Sequence, residues 1–370
     1  MAEPVSIYVH IPFCRRRCPY CDFYSNPCAG EPPEWYLRLL EEQCAHWAAA
    51  LARAGRDVET FFLGGGTPSL LSAAQLRRLL SLLRGSFPSS PGTEFTVECN
   101  PESLDAEKTE AMVSCGVNRL SIGAQALDDA TLSVLGRIHS AAQVPHAVAA
   151  ARQAGVTNIN LDLIFGCPQQ SLPTWTRTLE AALELLPTHL SCYCLTIEPE
   201  TPWGRLAREG ALALPDEDLQ AEMAIAAHEA LAAAGFVHYE ISNFALPGYQ
   251  CRHNIRYWQA GDYVGLGLGA TSSLGGVRWR ALPQPRTRAL AGEALSSRRR
   301  LSEQAMLALR TREGLPKGLL LALLGEGKAA AWRQYWRPLF ACPSEEYNEQ
   351  RIALSPRGMM LADEVAASLM

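Results

Sequence analysis

Six short apolar runs, each followed by a stretch with helical spacing, constrain this chain more than any other feature of it. The runs are Val5 to His10, Val58 to Leu63, Glu94 to Glu98, Asn118 to Ile122, Thr157 to Leu163 and His189 to Thr196. Between them, leucines recur at helical intervals, as at Leu76, Leu79, Leu80 and Leu83, or Leu179, Leu183 and Leu186. Six β-then-α units predict parallel strands joined by right-handed crossovers. An open doubly wound sheet satisfies the same pattern. What favours a barrel or partial barrel is that the polar and glycine-rich segments fall at or just after the C-terminal ends of the strands, where barrel enzymes assemble their sites. With 370 residues, 48% of them hydrophobic, the chain can bury one large domain and a smaller one.

The first of those segments is Phe13-Cys14-Arg15-Arg16-Arg17-Cys18-Pro19-Tyr20-Cys21. Three thiolates on one tight loop can ligate three irons of a [4Fe-4S] cluster and leave the fourth iron open to a substrate. The competing reading is a structural zinc loop completed by His10 or Cys28, although zinc ordinarily draws its ligands from two separated pairs. After the second run comes Gly64-Gly65-Gly66-Thr67-Pro68, where missing side chains let backbone amides and carbonyls approach a ligand; alone it would read as a turn. Glu98-Cys99-Asn100-Pro101 ends the third run, Gly123-Ala124-Gln125 follows the fourth, Asp162 lies near the end of the fifth and Thr196 ends the sixth. Glu98 and Asp162 taken singly are ordinary capping or paired carboxylates. Their shared address at one mouth points to a ligand site.

The net charge of -5 gives no nucleic-acid footprint, and Arg298-Arg299-Arg300 is short enough to be a solvated helix edge. The N-terminal residues carry no charged-then-apolar leader, and no apolar stretch is long enough to span a bilayer, so a cytoplasmic protein is expected. Twelve cysteines scattered through a chain of this size read as thiols in a reducing compartment, most of them core residues.

Ile7-Tyr8-Val9-His10-Ile11-Pro12-Phe13-Cys14 with Cys18-Pro19-Tyr20-Cys21, followed by Gly64 to Pro68, Glu98 to Pro101, Arg119 to Gly123 and Asn160 to Ile164, resembles the radical S-adenosylmethionine proteins related to oxygen-independent coproporphyrinogen III oxidase. The resemblance runs through nearly the whole chain. It implies an α/β fold, a partial (β/α)6 barrel, with a [4Fe-4S] cluster held by Cys14, Cys18 and Cys21 and S-adenosylmethionine chelating the open iron. It further implies that Tyr8 packs near the methionine end, Tyr20 offers backbone contacts to adenine, and Gly65, Gly66 and Thr67 surround the amino group. Glu98, Gln125, Arg137 and Asp162, with Thr196, would hold the polar parts of one or two adenosylmethionine molecules.

Three departures select a branch. The oxidases have a fourth cysteine two residues after the third, where this chain has Phe23, and a long N-terminal arm, where this chain has a few residues. Tyr249-Gln250-Cys251-Arg252-His253-Asn254-Ile255-Arg256-Tyr257-Trp258 contains His-Asn-x-x-Tyr-Trp, similar to the signature of the HemW-type haem chaperones. There the histidine is associated with haem, and imidazole is a common axial ligand; read from the residues alone, a loop histidine under an aromatic cap is the simpler account. Cys251 is a competing thiolate, and Thr271 stands where relatives often carry histidine. After about Pro283 the stretch Arg286 to Arg300 reads as a linker. Helices follow at Leu301 to Arg312, Pro316 to Leu324 and Lys328 to Trp336, then a short hairpin over Arg351 to Gly358 and a last helix from Met359, resembling a winged-helix-like α+β domain.

The expected organisation is therefore a barrel over 1–235, a haem-motif and glycine-rich closing segment over 236–283, and a C-terminal domain over 284–370. The expected function is a haem chaperone delivering haem to client haemoproteins such as respiratory enzymes, compatible with a membrane-associated client though the chain has no membrane segment. The alternative is oxidative decarboxylation of coproporphyrinogen III. No catalytic residue is assigned.

Overall fold

The computed structural model describes residues 3–282, 290–341 and 350–369. Six strands follow the expected runs: β1 (Val5–Ile11), β2 (Val58–Gly65), β3 (Ser89–Cys99), β4 (Arg119–Gln125), β5 (Asn158–Phe165) and β6 (His189–Cys194). They pair in parallel in that order. Six more extend the same sheet: β7 (Val237–Glu240), β8 (Asn243–Ala245), β9 (Tyr263–Leu266), β10 (Thr271–Leu274), β11 (Val277–Ala281) and β12 (Leu290–Ala294). The order is β12-β11-β10-β9-β1-β2-β3-β4-β5-β6-β8-β7, so the sheet curves without closing and is a partial barrel. β9 adds to β1 in parallel, and the outer additions on both sides are antiparallel.

Each parallel strand is covered on both sides, but the two sides differ in chemistry. Successive side chains of a strand point to opposite faces. In β1, Val5, Ile7, Val9 and Ile11 are fully buried on the outer face, and Ser6, Tyr8 and His10 face inward. The same parity puts Thr60, Glu94, Glu98, Arg119, Ser121, Asn160, Asp162, His189 and Ser191 on the inner face, where hydrogen bonds link Ser6 to Thr60, Ser121 to Asp162 and Asn160 to His189. Phe61, Leu63, Val97, Leu120, Ile122, Leu161 and Leu190 turn outward against the helices. The helix Ala73–Ser86 shows how those helices are specified. Ser72 and Gln75 form a reciprocal capping box at its start, and Leu76, Leu79, Leu80 and Leu83 are all buried. Oily helices thus surround a polar lumen.

A second, smaller core gathers Leu309, Leu315, Leu320, Trp332 and Val365 from the helices Ser297–Leu309, Lys317–Trp336 and Ala362–Ala367 and the segments between them. The two helices expected on either side of residue 325 are there, broken at Gly325 (φ 73°). The expected hairpin is not. Arg351–Ile352 pairs with Leu315–Pro316 far upstream, and Ser355 and Pro356 start a helix, Pro356–Met360, because Ser355 caps the Gly358 amide and proline suits the first helical turn. The expected linker is likewise corrected in its described part: Leu290–Ala294 is β12, paired with β11, and Ser296 caps the next helix. Pro283 and residues 286–289 lie outside the described residues. Among the described residues no helix is long and apolar enough to cross a membrane.

Candidate functional site at the mouth of the partial barrel

The cysteine loop is clamped to the ends of β1 and β2. The Gly66 amide donates to the Ile11 carbonyl (2.9 Å) and the Thr67 amide to the Phe13 carbonyl (2.8 Å), while the Cys28 amide donates back to the Cys14 carbonyl (2.7 Å). This explains the glycines. A Cβ on Gly66 would lie 2.6 Å from the Phe13 carbonyl oxygen, and Gly65, at φ 110°, would put one 2.4 Å from the His10 ring. The Thr67 hydroxyl reaches the Cys14 sulfur (3.5 Å), and the Arg137 guanidinium reaches the Cys18 sulfur (3.8 Å). Asn100 joins these pieces: its amide nitrogen donates to the Thr67 hydroxyl (3.2 Å), and its oxygen accepts from Arg137 (2.8 Å), which also donates to the Gly123 carbonyl.

Cys14, Cys18 and Cys21 are free and half-buried. Burial, reinforced by Cys18 and Cys14, pushes the Cys21 thiol up to about 11, and burial raises Cys14. Such thiols need a metal centre or a cation to hold them as thiolates, and Arg137 supplies part of that charge. Burial works against the Arg137 charge, but the Tyr20 hydroxyl and Cys18 more than offset it. Three free, half-buried cysteines on one loop are a donor set that fits an iron-sulfur cluster. It fits zinc poorly, because neither fourth ligand is available. His10 bonds Tyr8 through Nδ1 (2.9 Å) and the Tyr24 carbonyl through Nε2 (2.8 Å), and the Cys28 thiol faces the Gly30 and Glu31 carbonyls. Among the described residues no three His, Cys, Asp or Glu side chains converge on one ion.

Below the loop lie two of the lumen's carboxyls, Glu98 and Asp162. The Gly65 amide donates to Glu98 (3.0 Å), and a Cβ on Gly64 would meet the Glu98 carboxyl at 2.8 Å. Asp162 accepts from Ser121 (3.0 Å) and Asn160 (2.9 Å). Burial and the charge of Asp162 push Glu98 up to about 8, and burial raises Asp162 against its hydrogen bonds. Arg119 is fully buried, and its field restrains the rise of both Glu98 and Asp162. A run of hydrogen bonds from Tyr239 through His189, Asn160 and Ser121 fixes Asp162.

Thus Cys14, Cys18, Gly65, Gly66, Thr67, Glu98, Arg137 and Asp162 share one mouth. Tyr20 packs on Trp203 beside it (5.7 Å), and Gln125 follows Gly123 in a left-handed conformation (φ 63°). Thr196 is exposed, two residues beyond the end of β6. Asn100, Arg119, Asn160 and Glu94 are additions that motif reading did not single out.

His253, expected on a loop, lies on a helix, Arg252–Trp258, and is 1% exposed. Glu94 accepts the backbone amides of Arg252 and His253 (3.0 Å each) at the start of that helix. The ring stacks on Phe62 (5.0 Å), with Nδ1 bonded to Thr60 (2.7 Å) and Nε2 to Tyr257 (2.9 Å). Burial, then Arg119, lowers it to about 3. Neither ring nitrogen is open to an iron in this conformation. Cys251 is buried against Glu94, and Thr271 sits on β10.

The Radical SAM superfamily profile matches residues 8–182. A Mycobacterium tuberculosis protein described as heme chaperone HemW is 38% identical over all of this chain and 95% of its own length. An Escherichia coli protein of the same description is 42% identical over 77% of this chain and 74% of its own. Among solved structures, coproporphyrinogen III oxidase (HemN) from Escherichia coli superposes with a TM-score of 0.81 at 24% identity, covering 99% of this chain and 90% of that one, a likeness of fold. With its cysteine loop, its partial barrel and this full-length similarity, the chain belongs to the HemW family within the radical SAM superfamily.

Proposed function

We propose that this protein binds haem and passes it to client haemoproteins, in the cytoplasm, on a scaffold that carries a [4Fe-4S] cluster and S-adenosylmethionine. The observation that carries the reading is the similarity along the entire chain to proteins described as heme chaperones. Cys14, Cys18 and Cys21 would hold the cluster, whose open iron offers chelation to the amino and carboxylate groups of adenosylmethionine. Gly65, Gly66 and Thr67 would border that amino acid end, Glu98 and Asp162 would face its positive charge, and Arg137 with Asn100 would hold the loop against the mouth. Tyr8, Tyr20 and Gln125 would flank the ligand. Thr196, lying outside the cluster of contacts, would contribute least.

The proposed role of His253 follows from its bonds. Doubly hydrogen-bonded and buried, it holds the Tyr257 hydroxyl, and so fixes a helix rather than meeting iron directly. Phe23, 63% exposed where the oxidases carry a cysteine, supports a chaperone over a decarboxylase.

The experiment is a paired one. Anaerobically reconstituted protein is given haem in one arm, and coproporphyrinogen III with adenosylmethionine and reductant in the other. Stoichiometric haem uptake without vinyl formation is expected. Robust decarboxylation without haem uptake would replace the chaperone reading by the enzymatic one.

A further inference from the structure

A cavity of about 810 Å3 opens between β10, β11, the helix Ser297–Leu309 and the inner face of β1. Its size falls in the range of sites that enclose one small molecule. One wall is aromatic. Tyr257 and Tyr263 meet edge to face (4.6 Å), and Tyr8 lines the same space. The Tyr8 hydroxyl is bonded to His10, itself on the lining with both ring nitrogens engaged, and the Tyr257 hydroxyl is bonded to His253. Since His10 Nε2 must donate to the Tyr24 carbonyl, its neutral Nδ1 accepts from Tyr8, and the ring of Tyr8 is left to the cavity.

The other wall is cationic, and the parity of the strands makes it so. Thr271 pairs with Arg280 and Ser273 with Arg278, so all four share the face turned to the cavity. Ser272 and Trp279 take the opposite face, where Trp279 stacks on Trp47 (5.5 Å, 14°). Arg278 is neutralised by Glu303 (2.5 Å), and Asp262 by Arg56 (2.6 Å). Arg280 differs: its Nε donates to the Gly269 carbonyl (3.1 Å), and no carboxylate among the described residues pairs with it. Arg300 lies over the β10–β11 turn, with Nη1 at 2.9 Å from where a Gly276 Cβ would stand, and it too has no carboxylate partner among the described residues. The acids remaining on the lining, Glu3 and Asp22, are exposed, as are Arg280 and Arg300 at its rim.

We propose that this cavity is the haem site, receiving the flat macrocycle against Tyr8, Tyr257 and Tyr263 and its two propionate carboxylates on Arg280 and Arg300. The assignment rests on the haem reading above and locates it. Aromatic faces suit an extended π system, and planar guanidinium groups suit carboxylates. His253 then acts as a positioning residue, holding Tyr257 from behind.

Haem is titrated by absorbance into the reconstituted full-length protein and into Arg280→Ala, Arg300→Ala, the pair, and Arg298→Ala as a surface control. Each single change is expected to weaken binding by about 10-fold and the pair by about 50-fold, as for lost charge-assisted hydrogen bonds. Arg280→Lys restores part of the loss. Haem dimethyl ester, which lacks the carboxylates, binds the wild type as weakly as haem binds the pair variant, and iron-free protoporphyrin IX follows the same order as haem. His253→Ala weakens haem without moving the Soret band of what remains bound. If the wild type takes up haem and the pair variant matches it within about two-fold, the cavity assignment falls and the haem reading stands. A Soret shift in His253→Ala makes the imidazole an iron ligand and overturns its positioning role. Failure of the wild type to bind haem removes both.

Discussion

A carboxyl group pushed up to about 8 is mostly neutral at pH 7, so a cationic ligand brought against Glu98 must ionise it. Adenosylmethionine binding near pH 7 is therefore expected to release close to one proton from Glu98, in addition to any lost by the chelating amino group, seen as a dependence of binding heat on buffer ionisation enthalpy. Glu98→Gln should lower that release by close to one proton and leave the cluster spectrum intact. The same shift bears on stability. Glu98 keeps its proton when folded and loses it near 4.5 when unfolded, so its contribution is full at low pH and is lost as pH rises through about 8. Thermal unfolding of the ligand-free protein should show this decline, on the order of a few kcal/mol between pH 5 and 9, and Glu98→Gln should flatten it. Gly66 is the second sensitive position. Gly66→Ala forces a methyl onto two backbone carbonyls, Phe13 and Ile11, and should cost about 2–4 kcal/mol in denaturant unfolding. The sequence made Gly66, Glu98 and Asp162 visible by their place at or just after strand C-terminal ends. Arg119 and Asn160 were equally visible by parity, since each lies an even number of residues from an inward-facing neighbour, but a strand buried on both faces hides that alternation beneath its general apolarity.

At the scale of elements, the helix Arg252–Trp258 depends on a strand far away in sequence. Glu94 of β3 caps its first two amides, and Thr60 of β2 holds its histidine. Glu94→Gln replaces a charged acceptor by a neutral one and should destabilise the protein by about 1–2 kcal/mol, with faster hydrogen exchange at the amides of residues 252 and 253. Acid should act on the same helix. The His253 ring, lowered to about 3, contributes stability that is present above about pH 6.5 and is lost as pH falls toward 3, and His253→Gln should remove that part of the acid transition. None of this was legible from the motif, because capping and stacking partners come from β2 and β3, about 160 to 190 residues earlier. The hairpin expected near residue 351 failed for a related reason. A two-residue strand carries too little pattern to reveal a partner at Leu315. The six parallel strands were read with their order because β–α alternation is a local signal that the crossover rule turns into topology.

In the whole molecule, Cys14, Cys18 and Cys21 stand outside the two main hydrophobic cores, and their loop is anchored by Phe13 in the larger core and by backbone bonds at its ends. Cys14→Ala, Cys18→Ala and Cys21→Ala should each abolish the brown absorbance of the reconstituted protein while shifting the unfolding of the metal-free chain by less than about 1 kcal/mol. Cys28→Ala should keep both. The β10–β11 ribbon is fastened to the barrel on one side by the Trp47–Trp279 stack, from a helix, Glu34–Arg53, that itself packs on the core. Any outward swing of that ribbon has to part the two indoles. Indole emission depends on contact and hydration, so the protein carries its own optical gauge of the ribbon's position. A red shift of this pair on outward movement of the ribbon, absent when both Trp47 and Trp279 are replaced by Phe, would report that movement without any attached dye.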